Sequence, residues 1–155
     1  MKKIVIGLLY GISLVSVPAQ SLEISESFVS KSVEAQFPKN FYGVQVTTPT
    51  VTLKDGYATF CAIAQYKRLT KDIEFCASLV PIWRQETGSL HVTSMSLFSI
   101  NAAGLSDKHQ EMAKTILNQA ILPALEGIEV YKTDNFIGKQ VSAVKVKPGK
   151  LDLSF

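Results

Sequence analysis

The chain has 155 residues, 46% of them hydrophobic and 19% charged, enough apolar material for one domain with a full core and unlike any disordered, collagen-like or low-complexity chain. Its formal charge of +3 falls to about +1 once Lys2 and Lys3 are set aside with the leader described next, which leaves no electrostatic footprint for a nucleic-acid partner.

Residues 1–19 have the three parts of a secretory signal peptide: a basic start at Lys2-Lys3, an apolar run from Ile4 to Val17, and small residues suited to cleavage. Val17-Pro18-Ala19 before Gln20 is the preferred site, and Ala19-Gln20-Ser21 before Leu22 is the second. Tyr10, Gly11 and Ser13 interrupt the apolar run, which falls short of the roughly 20 strongly apolar residues of a membrane span. A retained N-terminal anchor is the alternative. No cysteine stands near the cleavage site to carry a lipid. The expectation is an exported, periplasmic chain cleaved near Ala19, with a single α+β domain over residues 20–155 and no transmembrane span in the mature protein.

Ser25 has the chemistry of a helix N-cap, with Ile24 and Val29 placed as a hydrophobic staple. Phe28, Val29, Val33 and Ala35 follow at near-helical spacing until Phe37-Pro38, so a short amphipathic helix is predicted over about Glu26 to Gln36. From Val44 to Ile100 four alternating runs separated by short turns predict an antiparallel sheet. Val44 to Leu53 is the first strand. Asp55-Gly56 suits a two-residue hairpin turn with positive φ at both positions, which pairs Leu53 with Ala58, Val51 with Phe60 and Thr50 with Cys61. A four-residue loop at Lys67-Arg68-Leu69-Thr70 then pairs Ala64 with Ile73, Ala62 with Phe75, Phe60 with Ala77 and Cys61 with Cys76. Phe60 reaches the apolar face by both assignments, the consistency expected of a correct register.

Facing cysteines on neighbouring strands come close to bonding distance, and an oxidising compartment would join them. A disulfide between Cys61 and Cys76 is therefore expected. The alternatives are two buried thiols or a register slipped by one residue. Together with a stray histidine these two cysteines are too few ligands for a metal site.

The third strand continues to Trp83, and Pro81, which has no N–H to donate, places it at an edge or at a bend. In the fourth strand, about Ser89 to Ile100, Leu90 and Val92 share one parity but Met95 and Leu97 the other, so a bulge near Thr93-Ser94 is predicted to bend the sheet. Ser106 caps a longer helix over about Asp107 to Glu126, with an apolar stripe of Met112, Ile116, Ala120, Ile121, Ala124 and Leu125. Pro123 should kink or unwind its last turn and Gly127 end it. Val130-Tyr131 reads as a brief strand and Asp134 to Gln140 as a helical turn. Pro148-Gly149 fits a type II turn that pairs Val146 with Leu151 and Val144 with Leu153. Lys145, Lys147, Lys150 and Asp152 form the outer face of this terminal hairpin, read as a charged edge that discourages aggregation in preference to the alternative of a phosphate or lipid-headgroup site.

His91 lies in a strand and His109 in the first turn of a helix, each without a catalytic partner in sequence. No nucleophile elbow, phosphate loop, dinucleotide glycine pattern or metal-ligand spacing occurs. The reading is non-enzymatic, with no catalytic residues, no metal and no cofactor.

Several segments resemble the YceB-like envelope lipoproteins of Gram-negative bacteria, over about Ile24 to Phe155. They are Ile24-Ser25-Glu26, Ala77-Ser78-Leu79-Val80-Pro81 followed by Gly88-Ser89-Leu90, Ile121-Leu122-Pro123, Val130-Tyr131, and the terminal run from Val144 to Leu151, the most specific of them. The family's lipid-modified cysteine is absent here, so anchoring does not carry over, and no site residue transfers. The resemblance implies a fold similar to lipid-binding tubular domains, a strongly curved antiparallel sheet packed around a long helix, with a short N-terminal helix and a C-terminal hairpin. On that fold the candidate lining of an apolar ligand site is Val51, Phe60, Ala62, Phe75, Leu79 and Trp83 from the sheet with Met112 and Ile116 from the helix. A lipid or other apolar small molecule is the expected partner of a monomer. A structural or protein-interaction module of the envelope, with a filled core, is the competing expectation.

Overall fold

The structure is a computed structural model and describes residues 21–69, 71–133 and 136–155, with the backbone alone for Phe136 and Ile137. The leader expected over residues 1–19 lies outside the described residues, as does Asp134. The architecture is α+β. A strongly curled six-stranded antiparallel half-barrel holds a long helix, beside a short N-terminal helix and a three-stranded sheet that contains the C-terminal hairpin.

In chain order the elements are β1 (Ser21–Ser25), α1 (Glu26–Glu34), β2 (Lys39–Phe41), β3 (Val44–Leu53), β4 (Ala58–Tyr66), β5 (Ile73–Arg84), β6 (Ser89–Asn101), α2 (Asp107–Ile116), a π-helical turn (Leu117–Ile121), α3 (Leu122–Leu125), β7 (Glu129–Lys132), a 3-10 turn (Phe136–Gln140), β8 (Ala143–Lys147) and β9 (Lys150–Ser154). The half-barrel runs β2-β3-β4-β5-β6-β7, and the smaller sheet runs β1-β9-β8.

Turn chemistry sets the register as expected. Thr50, Val51 and Leu53 face Cys61, Phe60 and Ala58, and across β4 and β5 Phe60 faces Ala77, Cys61 faces Cys76 and Ala64 faces Ile73. Lys54 N donates to Tyr57 O at 2.8 Å across the first turn. Of its two central residues only Gly56 takes positive φ, +89°, so Asp55 does not need the left-handed backbone assigned to it. Cys61 and Cys76 are joined, with their Cα atoms 4.1 Å apart.

The curl comes from bulges. The β5–β6 register shifts between Ser78 and Val80, where Ser94 takes φ +55°, and again between Cys76 and Ala77, where Phe98 is the extra residue. Extra residues on one strand bend and twist the pair. A third shift lies between Thr47 and Thr50 in β3. Pro81 is in the interior of β5, but β4 ends opposite Leu79, so Pro81 pairs with Val92 alone. It occupies a local edge beside a bulge, where a missing N–H is tolerated.

Ser25 Oγ accepts from Phe28 N and caps α1, while Ser106 Oγ accepts from His109 N and caps α2. The buried face of the long helix is Ala113, Leu117, Ile121, Leu122 and Leu125. The stripe read from sequence shares only Ile121 and Leu125 with that set. Met112 and Ile116 are half-buried against the core. Pro123 acts one turn earlier than expected. Its ring would crowd the carbonyl of Gln119, four residues back, and that residue lies in the widened π turn.

Candidate functional site

The concavity is divided unequally. At one end α2 packs tightly: Ile116, Ala113 and Leu117 against Val44, Ala64, Tyr66, Leu69 and Ile73 leave only about 10 Å³ of free space. At the other end, beneath α1 and α3, an apolar cavity of about 50 Å³ remains. Its walls come from α1 (Val29, Val33), from β3 and β4 (Val51, Leu53, Ala58, Phe60), from β5 (Leu79, Pro81) and β6 (Leu90, Val92, Met95), with Leu125, Ile128, Val130 and Leu151 closing it. No polar side chain lines it, so it offers no partners to hold water.

Of the eight lining candidates named from sequence, Val51, Phe60 and Leu79 are on this cavity. Ala62 and Phe75 are buried in the core away from it, and Ile116 is at the filled end. Met112 packs on the core, and Trp83 directs its indole N–H to Gly138 O at 2.8 Å with its ring 6.3 Å from that of Tyr131. Sequence reading missed the contributions of α1, Ile128 and Leu151. Val29 and Val33 were legible as the apolar face of α1, but nothing local says what that face covers.

The half-barrel is open along one side, between its two edge strands β2 and β7. An open groove of about 790 Å³ runs there, lined by Ser32 of α1 and Gln36 of the turn that follows it, Lys39 and Phe41 of β2, Ala124, Gly127 and Ile128, and Glu129–Lys132 of β7. Ile128 and Val130 line both groove and cavity. The groove is thus the polar-rimmed outer side of the wall that closes the apolar space. Gln36 Nε2 spans it, donating to Glu129 O at 2.8 Å. α1 is also tied to β3, with Glu26 Oε2 accepting from Leu53 N at 2.8 Å and Ser30 Oγ donating to Val51 O at 3.4 Å.

A polar cluster lies at the start of β6. Ser89 Oγ is 2.7 Å from His91 Nε2 and meets Thr87 Oγ1 on its other side, and the Glu129 carboxylate stands 3.9 Å from the same imidazole nitrogen. Burial, with the Arg84 guanidinium next, holds the His91 pKa below its ordinary value, and Glu129 opposes them. Ser89 has no exposed surface, and both neighbours meet one nitrogen, so this geometry neither presents a nucleophile nor orients a base. It satisfies a buried hydroxyl. Among the described residues no group of three His, Cys, Asp or Glu side chains could hold a metal ion, and no helix is long and apolar enough to cross a membrane.

On the terminal hairpin Lys147, Lys150 and Asp152 of the outer face are ion-paired. Lys147 Nζ meets Asp152 Oδ2 at 2.7 Å, and Lys150 meets Glu23 of β1. The Lys147 hydrogen bond holds the Asp152 carboxyl below the usual carboxylate range.

No protein-family model matches the chain, and no curated protein matches it either.

Proposed function

We propose that this chain is an exported, non-enzymatic binding module that takes the apolar end of a lipid or similar amphipathic molecule between β2 and β7. The observation that carries the proposal is the purely apolar cavity whose wall residues Ile128 and Val130 also floor a polar-rimmed groove. Such a pairing suits a molecule with an apolar tail and a polar head. Size limits the reading. Drug-sized ligands occupy roughly 300–1,000 Å³, against about 50 Å³ here, so α1 must move for more than a chain end to enter. The joined Cys61 and Cys76 support an oxidising compartment, and the leader sequence and the likeness to YceB-like envelope lipoproteins support the same placement.

The competing reading, a protein-interaction module with a filled core, is favoured by the small void and by the position of β2 and β7 at the edges of the half-barrel. Native mass spectrometry of protein purified from the periplasm separates the two. A co-purifying lipid is the expected result. An empty monomer that also fails to take up fatty acid or phospholipid would sink the binding reading and leave the edge strands as the working surface.

A further inference from the structure

The turn between β2 and β3 carries an aromatic side chain that the fold does not use. Tyr42 is 81% exposed and takes φ +56°, followed by Gly43 at +83°. The left-handed backbone suits Asn or Gly at both positions and is unfavourable for tyrosine. A large ring held in an unfavourable backbone region and left mostly in solvent invites a reason outside the fold.

The strand register supplies its surroundings. Val44 pairs with Phe41 on one side and with Tyr66 on the other, so the Tyr42-Gly43 turn and the loop that begins at Lys67 leave adjacent strands at the same end of the half-barrel. That puts them within about two strand spacings, roughly 10 Å. Leu69 is buried, with its N–H on Tyr66 O at 2.9 Å. The loop is thereby fixed at its centre while Lys67 and Arg68 stay exposed. Lys71, exposed on the far side of the loop, rests over Gly104 of the β6–α2 connection. A Cβ built on Gly104 would come within 2.8 Å of Lys71 Nζ, so the glycine leaves the room that the lysine chain fills.

The charge balance at this end is positive. Asp72 is the one carboxylate of the loop and accepts from Gln65 Nε2 at 3.3 Å. Asp107 and Lys108, where α2 begins, offset each other. Lys67, Arg68 and Lys71 then exceed Asp72 by about two charges, and among the described residues none of the three is ion-paired. None of the other exposed large hydrophobic side chains belongs to these loops. A stable protein partner buries roughly 800 Å² per side around an apolar centre, and one aromatic among cations does not offer that. An amphipathic ring flanked by cations does match the boundary of a negatively charged bilayer, where Tyr sits at headgroup level and Lys and Arg meet phosphates.

We infer that this end of the half-barrel, built from Tyr42, Lys67, Arg68 and Lys71, docks on the surface of an anionic phospholipid bilayer. The docking is independent of whether the cavity ever holds a ligand.

The test is co-sedimentation of the oxidised, full-length mature protein with vesicles of phosphatidylcholine alone and of phosphatidylcholine mixed with phosphatidylglycerol, at low and high salt. Binding to the mixed vesicles alone, weakened by salt, is expected. Alanine at Lys67, Arg68 or Lys71 should weaken it by about fivefold per charge. Tyr42→Asn is the decisive variant, because asparagine suits the turn: its melting temperature should hold or rise while vesicle binding falls. No binding to mixed vesicles at low salt, equal binding to both vesicle types, or full binding by Tyr42→Asn or by the triple alanine variant would overturn the inference. An empty cavity in native mass spectrometry together with intact vesicle binding would defeat the ligand reading and leave this one standing.

Discussion

Cys61 and Cys76 close a loop with a sequence separation of 15 residues, for which chain-entropy arguments give about 3 kcal/mol of stabilisation. Urea unfolding of the Cys61→Ala/Cys76→Ala double variant should show a loss of that order, and a reductant should then change nothing further. In the native chain, alkylation without reductant should add no mass, and uptake of two labels would contradict the crosslink. His91 makes a pH-dependent contribution whose sign is fixed by its surroundings. Burial and Arg84 lower its pKa in the folded state, so the folded chain takes up this proton less readily than the unfolded chain. The stabilisation is complete above the ordinary imidazole value, about 6.5, and is lost as pH falls through the lowered folded value. His91→Gln should remove that part of the acid-induced drop in the urea midpoint. Asp152, also lowered, contributes above the ordinary carboxylate value of about 3.9 and is lost only below it, so the two windows separate.

At the scale of elements, what local chemistry specifies was legible and what distant partners specify was not. Asp55-Gly56 and the Lys67 loop set the register of β3, β4 and β5, and Pro148-Gly149 set that of β8 and β9, because each turn fixes its own hairpin. β1 escaped notice because Ser21–Ser25 becomes a strand only through Lys150–Ser154, and the same residues read locally as the approach to a helix. β2 has three residues, too few for any period to show. The bulge of β3 was written in the sequence: Val44 and Val46 are buried on one parity, Val51 and Leu53 face inward on the other. The same change of parity had exposed the bulge in β6. Whether a concavity is lined or filled is decided by how the face of α1 lands, which no spacing encodes. α1 is fastened across the groove by Gln36. Gln36→Ala should cost about 1 kcal/mol and should speed amide exchange in β7 and uptake of an apolar fluorescent probe. Unchanged exchange would show that the side chain does not fasten the groove.

Across the whole molecule, the two sheets are locked where their turns meet. Gly56 N donates to Val146 O at 2.9 Å, Gly149 N to Leu53 O at 3.3 Å, and Glu26 N to Gly149 O at 3.0 Å. Leu151, fully buried in β9, is also a wall of the cavity, so the small sheet and the candidate site share one packing unit. Ala58→Val places two methyl groups at that wall, where about 50 Å³ is free. The variant should melt no lower than the parent and should retain less lipid. A lower melting temperature with unchanged lipid content would show that the void is not where ligand sits. The pairing of β1 with β9 also has a kinetic side. Residues 21–25 are made first among the described strands but find their partner only when residues 150–154 exist, and contacts this distant along the chain are slow to form. As the chain folds from its N-terminal side, α1 and the half-barrel therefore precede the seal, and the chain stays open along the Glu26–Gly149 junction until its last strand arrives. Removing Lys150–Phe155 should trap it in that unclosed form, with a disulfide that still closes and a seam between the two sheets that never does.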